Sequence, residues 1–335
     1  MDADKEFLSK GDPGDPGAPE QAAPVASQRR AVVRPDLDAI AAEPGVAKPD
    51  PIIKGSGITR QFGGLKAVDV DHIEIQRGVI TALIGPNGAG KTTLFNLLTG
   101  FDVPDSGEWS FNDKSLQRVP PYKVARLGMV RTFQLTKVLA KLTVIENMRL
   151  GATGQRGEKM LSAAFSFLWR DQERANTTRA DDLLTRFKLD AKREDFAGSL
   201  SGGQRKLLEM ARALMVDPEL IMLDEPMAGV NPALKQSLLG HVKSLRDEGR
   251  TVLFVEHDMD RVRDISDWVI VMAQGKIVAE GTPSTVMQNP AVIDAYLGAH
   301  HDTDLSELDE SVLESEAQAE LDAAAAAEAE RSEDR

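Results

Sequence analysis

The residues best suited to chemistry form a glycine-rich run that ends in a lysine and a threonine. Residues 85–92 read GPNGAGKT, which matches the pattern G-x-x-x-x-G-K-[ST]. Glycines let the backbone wrap closely around phosphates, while successive N–H groups and a helix N-terminus supply positive potential. In that arrangement Lys91 reaches the β- and γ-phosphates of a nucleotide, and Thr92 places its hydroxyl on Mg²⁺. The predicted nucleotide-binding residues of this loop are Gly85, Pro86, Asn87, Gly88, Ala89, Gly90, Lys91, Thr92 and Thr93.

A pair of carboxylates forms the second chemical feature. The apolar residues 220–223 precede Asp224, and Glu225 follows at once. At the carboxyl end of a strand, Asp224 would hold Mg²⁺ through its water shell. Glu225, one residue further, would face the γ-phosphate and polarise the attacking water as a general base. A solvated acidic pair at a strand end is the alternative, and it is disfavoured by the glycine-rich loop.

Alternating strand and helix signals describe the elements that must position these residues. Residues 79–84, 220–223 and 252–255 are apolar runs of strand length. Asn231-Pro232 and Thr282-Pro283 each combine an N-cap residue with proline at the first helical position. The alternation predicts a parallel sheet covered by helices. It also supplies the strand and the helix that the glycine-rich motif requires on its two sides, which disfavours a chance turn.

Residues 135–198 have a different pattern, mostly helical with few strand signals. Within them, Thr143 and Glu146 form a capping box that opens a helix. We therefore predict an α/β fold into which a helical subdomain of about these residues is inserted.

The charge of the chain is concentrated in its two ends. The net formal charge is −13, of which residues 1–50 carry −4 and residues 302–335 carry −11, so the middle carries +2. Both ends are rich in Ala, Pro, Gly or Glu, and we predict disordered tails at 1–50 and 302–335 around a domain at 51–301. The middle lacks the basic footprint of a nucleic-acid binder.

Three classes of feature are missing from the sequence. There is no cysteine, which excludes disulfides, thiolate metal sites and a catalytic cysteine. The first residues have no apolar run behind a basic region, so no signal peptide is expected. The apolar stretches are too short to span a bilayer, so any action at a membrane is expected to require other chains.

Residues 200–204 read LSGGQ, upstream of the acidic pair. A serine and two glycines at a helix start offer a second anion site. The glycine-rich loop is shared by many ATPases, whereas LSGGQ in this place resembles the ABC family. The resemblance implies a P-loop NTPase (RecA-like) core, an ABC antiparallel β subdomain and an inserted α-helical subdomain. It also implies that two chains sandwich two ATP molecules, with contacts in trans from Ser201, Gly202, Gly203 and Gln204.

Three further residues acquire roles only through this resemblance. Phe62 in QFGG matches the aromatic residue that stacks on adenine. Gln134 in RTFQ matches the glutamine that senses Mg²⁺ and water, and His257 in VEHD matches the switch histidine at the γ-phosphate. The implied catalytic residues are Glu225, His257 and Gln134, and the implied Mg²⁺ contacts are Thr92, Gln134 and Asp224.

One position departs from the family pattern. Asn231 stands where the loop after the acidic pair often carries an aspartate. An asparagine can still form hydrogen bonds across a dimer, but it adds no charge. Because Lys91, Glu225 and His257 are all present, this departure does not indicate an inactive site.

Within the ABC family, the sequence most resembles the ATP-binding subunits of branched-chain amino acid importers. It covers about 245 residues and neither tail, and the segment DEPMAGVNP is its most specific part. Residues 135–141 and 154–171 depart from the family, which leaves the transported substrate open. The segments that carry the likeness are residues 63–68, 98–108, 125–134, 224–232 and 280–298.

This narrower resemblance implies partners and a location. The partners are two permease subunits, a second ATP-binding subunit in a hetero- or homodimer, and indirectly an extracytoplasmic binding protein. The location is the cytoplasmic face of the membrane, reached through the permeases. The alternatives are a urea or amide importer, a lipid exporter, a non-transport ABC ATPase and a regulatory module without catalysis.

Overall fold

The computed structural model describes residues 35–132, 138–153 and 170–301. Its strands, in chain order, are β1 (Pro51–Phe62), β2 (Leu65–Gln76), β3 (Ile80–Ile84), β4 (Ser106–Phe111), β5 (Lys114–Ser115), β6 (Met129–Arg131), β7 (Leu220–Asp224), β8 (Thr251–Val255), β9 (Trp268–Ala273) and β10 (Lys276–Gly281). Its α-helices are α1 (Lys91–Leu98), α2 (Pro121–Arg126), α3 (Val144–Arg149), α4 (Arg170–Arg186), α5 (Gly202–Ala213), α6 (Pro232–Asp247), α7 (Met259–Ile265), α8 (Pro283–Met287) and α9 (Pro290–His301).

The larger of the two described sheets has the order β10-β9-β3-β8-β7-β6. Its strands β9, β3, β8, β7 and β6 are parallel to their neighbours, and β10 pairs antiparallel with β9 at one edge. Every residue of β3, β7 and β8 is buried, because helices or the second sheet cover both faces. The predicted parallel sheet covered by helices is confirmed.

A second, antiparallel sheet has the order β2-β1-β4-β5. Its long strands β1 and β2 form a hairpin, and β1 pairs with β4 on its other side. This sheet is the antiparallel subdomain that the family resemblance implied, and the α/β fold class is confirmed.

Different layers cover the two faces of the parallel sheet. On β3, Ala82 packs into a core shared with α5, α6 and the last helices of the chain, including Leu208. Its neighbour Leu83 points the opposite way, into a core shared with Phe95 of α1 and with the antiparallel sheet. This alternation follows from the two-residue period of a strand.

The described part of residues 138–199 is built from α3, α4 and short 3₁₀ turns. The predicted capping box is present, with Thr143 Oγ1 accepting from Glu146 N and Glu146 Oε2 accepting from Thr143 N. Buried Asn147 donates to the carbonyls of Leu139, Leu142 and Thr143, so its side chain shapes the loop in front of α3.

Residues 35–50, which the sequence analysis placed in the N-terminal tail, contain side chains that pack against the domain. Leu37, Ile40 and Val46 pack against the core beside the antiparallel sheet. Lys48 Nζ lies 2.9 Å from Glu280 Oε2, and both side chains are fully buried. The Ala- and Pro-rich composition concealed these few anchoring side chains, each of which has its partner far along the chain.

The remaining parts of both predicted tails, residues 1–34 and 302–335, lie outside the described residues. Within the described ranges, none of the helices has the length and apolar character needed to cross a membrane.

Candidate functional site

The glycine-rich loop connects the end of β3 to the start of α1, as the motif requires. Its backbone leaves no room for side chains at two positions. A Cβ on Gly85, whose φ is +147°, would lie 2.0 Å from the carbonyl oxygen of Met272. A Cβ on Gly90, whose φ is +97°, would lie 2.2 Å from the carbonyl oxygen of Ala67. Both positions therefore require glycine, which lets the loop reach the N-terminus of α1 in the shape that suits a phosphate.

The amino group of Lys91 folds back over this loop. Its Nζ donates to the carbonyl oxygens of Gly85 at 2.7 Å and Pro86 at 2.9 Å. Burial lowers the pKa of Lys91, and the charges of Glu225 and Asp224 oppose that effect. The lysine is thus held beside the two carboxylates, and a phosphate oxygen can accept hydrogen bonds from its amino group.

The other predicted residues of the loop fit this arrangement. Asn87, Gly88 and Thr92 are exposed at the mouth of the loop, and Thr93 is half-buried. Ala89 is buried, and its carbonyl accepts from Gly275 N in the turn between β9 and β10. The loop is therefore braced from behind and open in front.

Asp224 ends β7 and is engaged by an arginine that the sequence analysis did not identify. Arg131, at the end of the neighbouring strand β6, donates from Nη2 to Asp224 Oδ2 at 2.7 Å. Its Nη1 donates to Asn96 Oδ1 on α1 at 2.6 Å. The adjacency of two strand ends brings Arg131 to Asp224, and the position of α1 brings Asn96 to the same guanidinium. No local signal in the sequence marks Arg131.

Glu225 has a backbone conformation that is unusual for a residue other than glycine. Its φ is +44°, in the left-handed region that costs a non-glycine residue about 1–2 kcal/mol. Its N–H donates to the carbonyl of Val255 at the end of β8, at 3.2 Å. Such strained residues concentrate at functional sites, because the surrounding structure holds them.

The LSGGQ segment forms the N-terminus of α5. Ser201 is the N-cap, and its Oγ accepts from Gln204 N at 3.2 Å while Gln204 Oε1 accepts from Ser201 N at 3.0 Å. Ser201 and Gly202 are exposed, whereas a Cβ on Gly203 would lie 1.9 Å from the side chain of Leu234. The Gln204 side chain is therefore engaged in the cap, and the helix start at Ser201 and Gly202 is exposed.

The remaining predicted site residues are at element ends. Phe62 closes β1 with 49% of its surface exposed, and the guanidinium of Arg60 lies 4.7 Å from its ring centre. His257 follows β8 with 62% of its side chain exposed. The side-chain oxygen of Asn231 accepts from Leu234 N, so its predicted role as N-cap is confirmed. Gln134 lies outside the described residues.

The donor set suits Mg²⁺ that arrives with a nucleotide. Among the described residues no group of three or more His, Cys, Asp or Glu side chains could hold a metal by itself. Thr92 and Asp224 offer one hydroxyl and one carboxylate near Lys91. Mg²⁺ is typically bound by one or two such oxygens together with substrate phosphates and water, so these residues fit it.

Comparisons with known proteins find ABC transporter families and ATP-binding relatives. The family described as ABC transporter matches residues 68–228, and the family described as branched-chain amino acid ATP-binding cassette transporter matches residues 276–302. The probable branched-chain amino acid transport ATP-binding protein LivG of Archaeoglobus fulgidus is 42% identical over 248 residues, which is 74% of this chain and 96% of the relative. The high-affinity branched-chain amino acid transport ATP-binding protein BraF of Pseudomonas aeruginosa is 40% identical over 250 residues, or 74% and 98% of the two chains.

Solved structures agree with these relatives. The crystal structure of a nucleotide-free ATP-binding cassette from an ABC transporter is 38% identical and superimposes with a TM-score of 0.64. The alignment covers 73% of this chain and 98% of that one.

Proposed function

The chain belongs to the ATP-binding subunits of branched-chain amino acid ABC transporters, and from this premise we propose that it hydrolyses ATP in a dimer to power import of these amino acids. One observation supports the catalytic part. Lys91, Asp224 and Glu225 lie close enough to interact electrostatically at the carboxyl ends of parallel strands, where nucleotides bind in such sheets. The names of the relatives support the choice of branched-chain amino acids as the substrate.

Binding is the task of the glycine-rich loop. Its N–H groups and the N-terminus of α1 surround the β-phosphate, and Lys91 exchanges the carbonyls of Gly85 and Pro86 for phosphate oxygens. Phe62 stacks on the adenine. Thr92, Asp224 and Gln134 would hold Mg²⁺, and the ion would neutralise negative charge on the nucleotide phosphates.

Hydrolysis is the task of three polar side chains. Glu225 accepts the proton of the water that attacks the γ-phosphorus, and the bond to the leaving ADP oxygen breaks in line. His257 donates to a γ-phosphate oxygen and Gln134 orients the water. The partner subunit completes the site with the backbone and hydroxyl donors of Ser201, Gly202 and Gly203, while Gln204 keeps their helix start capped.

Transport depends on ATP binding more tightly to the closed dimer than to the open one. Only a closed dimer satisfies both anion sites, so ATP favours closure and hydrolysis removes that preference. The helical region that includes α3 and α4 passes this motion to permease subunits. Through them the chain sits at the cytoplasmic face of the membrane, and an extracytoplasmic binding protein delivers the substrate.

The test is to identify the proteins that this chain holds in its own cell. A tagged Glu225→Gln variant is purified in mild detergent with MgATP, and the co-purifying chains are identified by mass spectrometry. The tagged wild-type chain without nucleotide serves as the control. Two multi-spanning permeases and a second ATP-binding subunit are expected, and the associated binding protein is then assayed with leucine, isoleucine, valine and urea.

The outcomes separate the two parts of the proposal. Recovery of permeases whose binding protein takes urea and none of the three amino acids overturns the substrate. Recovery with ribosomes, DNA or soluble factors and no membrane protein overturns transport and leaves ATP hydrolysis in place.

A further inference from the structure

The side chain of Lys206 on α5 forms hydrogen bonds with the segment that begins with Glu225. Its Nζ donates to the carbonyl oxygen of Ala228 at 2.7 Å, of Pro226 at 3.2 Å and of Glu225 at 3.4 Å. One ammonium group thus satisfies three backbone acceptors of a single turn. An ammonium has three donors, so its full capacity is used on this turn.

The segment held by Lys206 begins at a residue with a strained backbone. Glu225 has a φ of +44°, and Gly229 follows with a φ of +66°. The segment is anchored at its start by the bond from Glu225 N to Val255 O and at its end by Asn231, which caps α6. Between these anchors, the hydrogen bonds from Lys206 Nζ oppose relaxation of the turn.

Carboxylates surround the ammonium on the side of the helix and of β8. Glu209 lies one turn further along α5, and Glu256 follows β8 with 1% of its side chain exposed. Burial lowers the pKa of Lys206, and the charges of Glu209, Glu256 and Glu225 oppose that effect. Lys206 is half-buried, and hydrogen bonds to carbonyls are stronger there than in water.

The position of Lys206 along its helix connects two functions. It lies five residues beyond the N-cap Ser201, about 7.5 Å along the helix axis. In the proposed dimer the start of α5 faces the nucleotide of the partner subunit, whereas Glu225 faces the nucleotide of its own chain. The hydrogen bonds of Lys206 therefore connect the helix that begins at Ser201 to the turn that begins at Glu225.

We propose that Lys206 is a positioning residue that holds residues 225–228, and so the carboxylate of Glu225, in register with the LSGGQ helix. This inference rests on the proposed function. Lys206 touches neither water nor phosphate in this role. Its loss is expected to slow the hydrolytic step while leaving the glycine-rich loop, and hence nucleotide binding, intact.

The test compares Lys206→Met with Lys206→Arg in the full-length chain. Methionine keeps the length of the stem and removes the donors. Arginine keeps the charge and the donors, and a cavity of about 20 Å³ lies beside Lys206, lined also by Thr132, Met210 and Leu238. Lys54→Met is the control, because Lys54 forms an exposed ion pair with Asp113 on the antiparallel sheet.

The measurements are steady-state ATPase rate, ATP affinity by equilibrium titration, thermal unfolding, and hydrogen exchange of residues 225–231. Lys206→Met is expected to lose about 10- to 100-fold in kcat, the range for a misplaced catalytic group, with ATP affinity changed less than about threefold. Exchange in residues 225–231 should accelerate. Lys206→Arg should regain most of the rate, and Lys54→Met should match the wild type.

Each other result has a definite meaning. A wild-type rate in Lys206→Met, or an equal rate loss in Lys206→Met and Lys206→Arg, overturns the inference and leaves the proposed function standing. Equal losses of rate and affinity, with a lower unfolding temperature, assign Lys206 to general stability and also overturn it. A wild-type chain that neither binds nor hydrolyses ATP overturns the proposed function itself.

Discussion

The guanidinium of Arg131 lies 2.7 Å from the carboxylate of Asp224, with only 4% and 6% of the two side chains exposed. The same carboxylate is the one proposed to hold Mg²⁺. Asp224 is therefore both the partner of a buried arginine and the proposed contact for Mg²⁺. The arginine orients the Asp224 side chain before the nucleotide arrives, and its positive charge compensates the buried carboxylate.

Arg131→Ala is expected to destabilise the nucleotide-free chain by about 3–5 kcal/mol, since it leaves a buried carboxylate without its cation. MgATP should restore more stability in the variant than in the wild type, because Mg²⁺ again supplies positive charge. Urea unfolding with ATP plus EDTA and with MgATP measures both effects. The exposed-pair control Lys54→Met should lose less than about 1 kcal/mol. An unchanged midpoint in Arg131→Ala would contradict this prediction.

Glu225→Gln is expected to lower kcat by about 10²- to 10⁴-fold, because an amide cannot accept the proton of the attacking water. ATP affinity should remain near the wild-type value, since the glycine-rich loop is untouched. The ATPase rate and equilibrium nucleotide binding are measured on the same preparation. Glu108→Gln on the exposed side of β4 serves as the matched control. Unchanged hydrolysis in Glu225→Gln would remove this residue from the role of base.

Lys91→Ala is expected to weaken ATP binding by about 10- to 100-fold, the value of one charge-assisted hydrogen bond in a partly buried site. The loop itself should persist, because Gly85 and Gly90 keep the shape that close backbone approach demands. Titration with a fluorescent ATP analogue measures the affinity, with adenosine as a ligand that lacks phosphates. An affinity for ATP equal to that of the wild type would count against the assignment of the glycine-rich loop.

Lys48→Met is expected to destabilise the fold by about 3–5 kcal/mol, because the buried Glu280 loses its ion pair. Glu280 also accepts from Trp268 Nε1 at 2.9 Å and from Val46 N at 2.8 Å, so it cannot move away to water without breaking these bonds. The double variant Lys48→Met with Glu280→Gln should recover part of the loss. Chemical unfolding of the four chains gives the coupling energy. Independent, additive effects would show that the two side chains do not depend on each other.

His241→Phe is expected to make stability less sensitive to acid. Burial lowers the pKa of His241, and the charges of Arg186 and Lys188 lower it further. In the unfolded chain the ordinary pKa is near 6.5, so below that pH the unfolded state binds the proton more readily and stability falls. Phenylalanine keeps the stacking on Phe187, at 4.3 Å between ring centres, and cannot titrate. Unfolding free energies at pH 5.5 and 7.5 should differ less in the variant than in the wild type, and an equal difference would refute the prediction.

Local patterns of the sequence were sufficient for several elements and for the loop and strand end that carry Lys91 and Asp224. The glycine-rich loop, the strand before Asp224, the N-cap at Asn231 and the capping box at Thr143 each depend on residues within a few positions of one another. Their geometry follows from backbone sterics and from hydrogen bonds within one turn. A sequence contains that information directly.

Tertiary structure decided the contacts between distant segments. Arg131 meets Asp224 because β6 and β7 are neighbours in the sheet, and Lys206 meets the turn after Glu225 through backbone carbonyls, which every residue possesses. Residues 35–50 belong to the domain because Lys48 finds Glu280 over 200 positions away. No residue type or spacing in the sequence identifies such partners, because they come together only when the chain has folded. Buried charges and strained backbone then need partners that lie close in space.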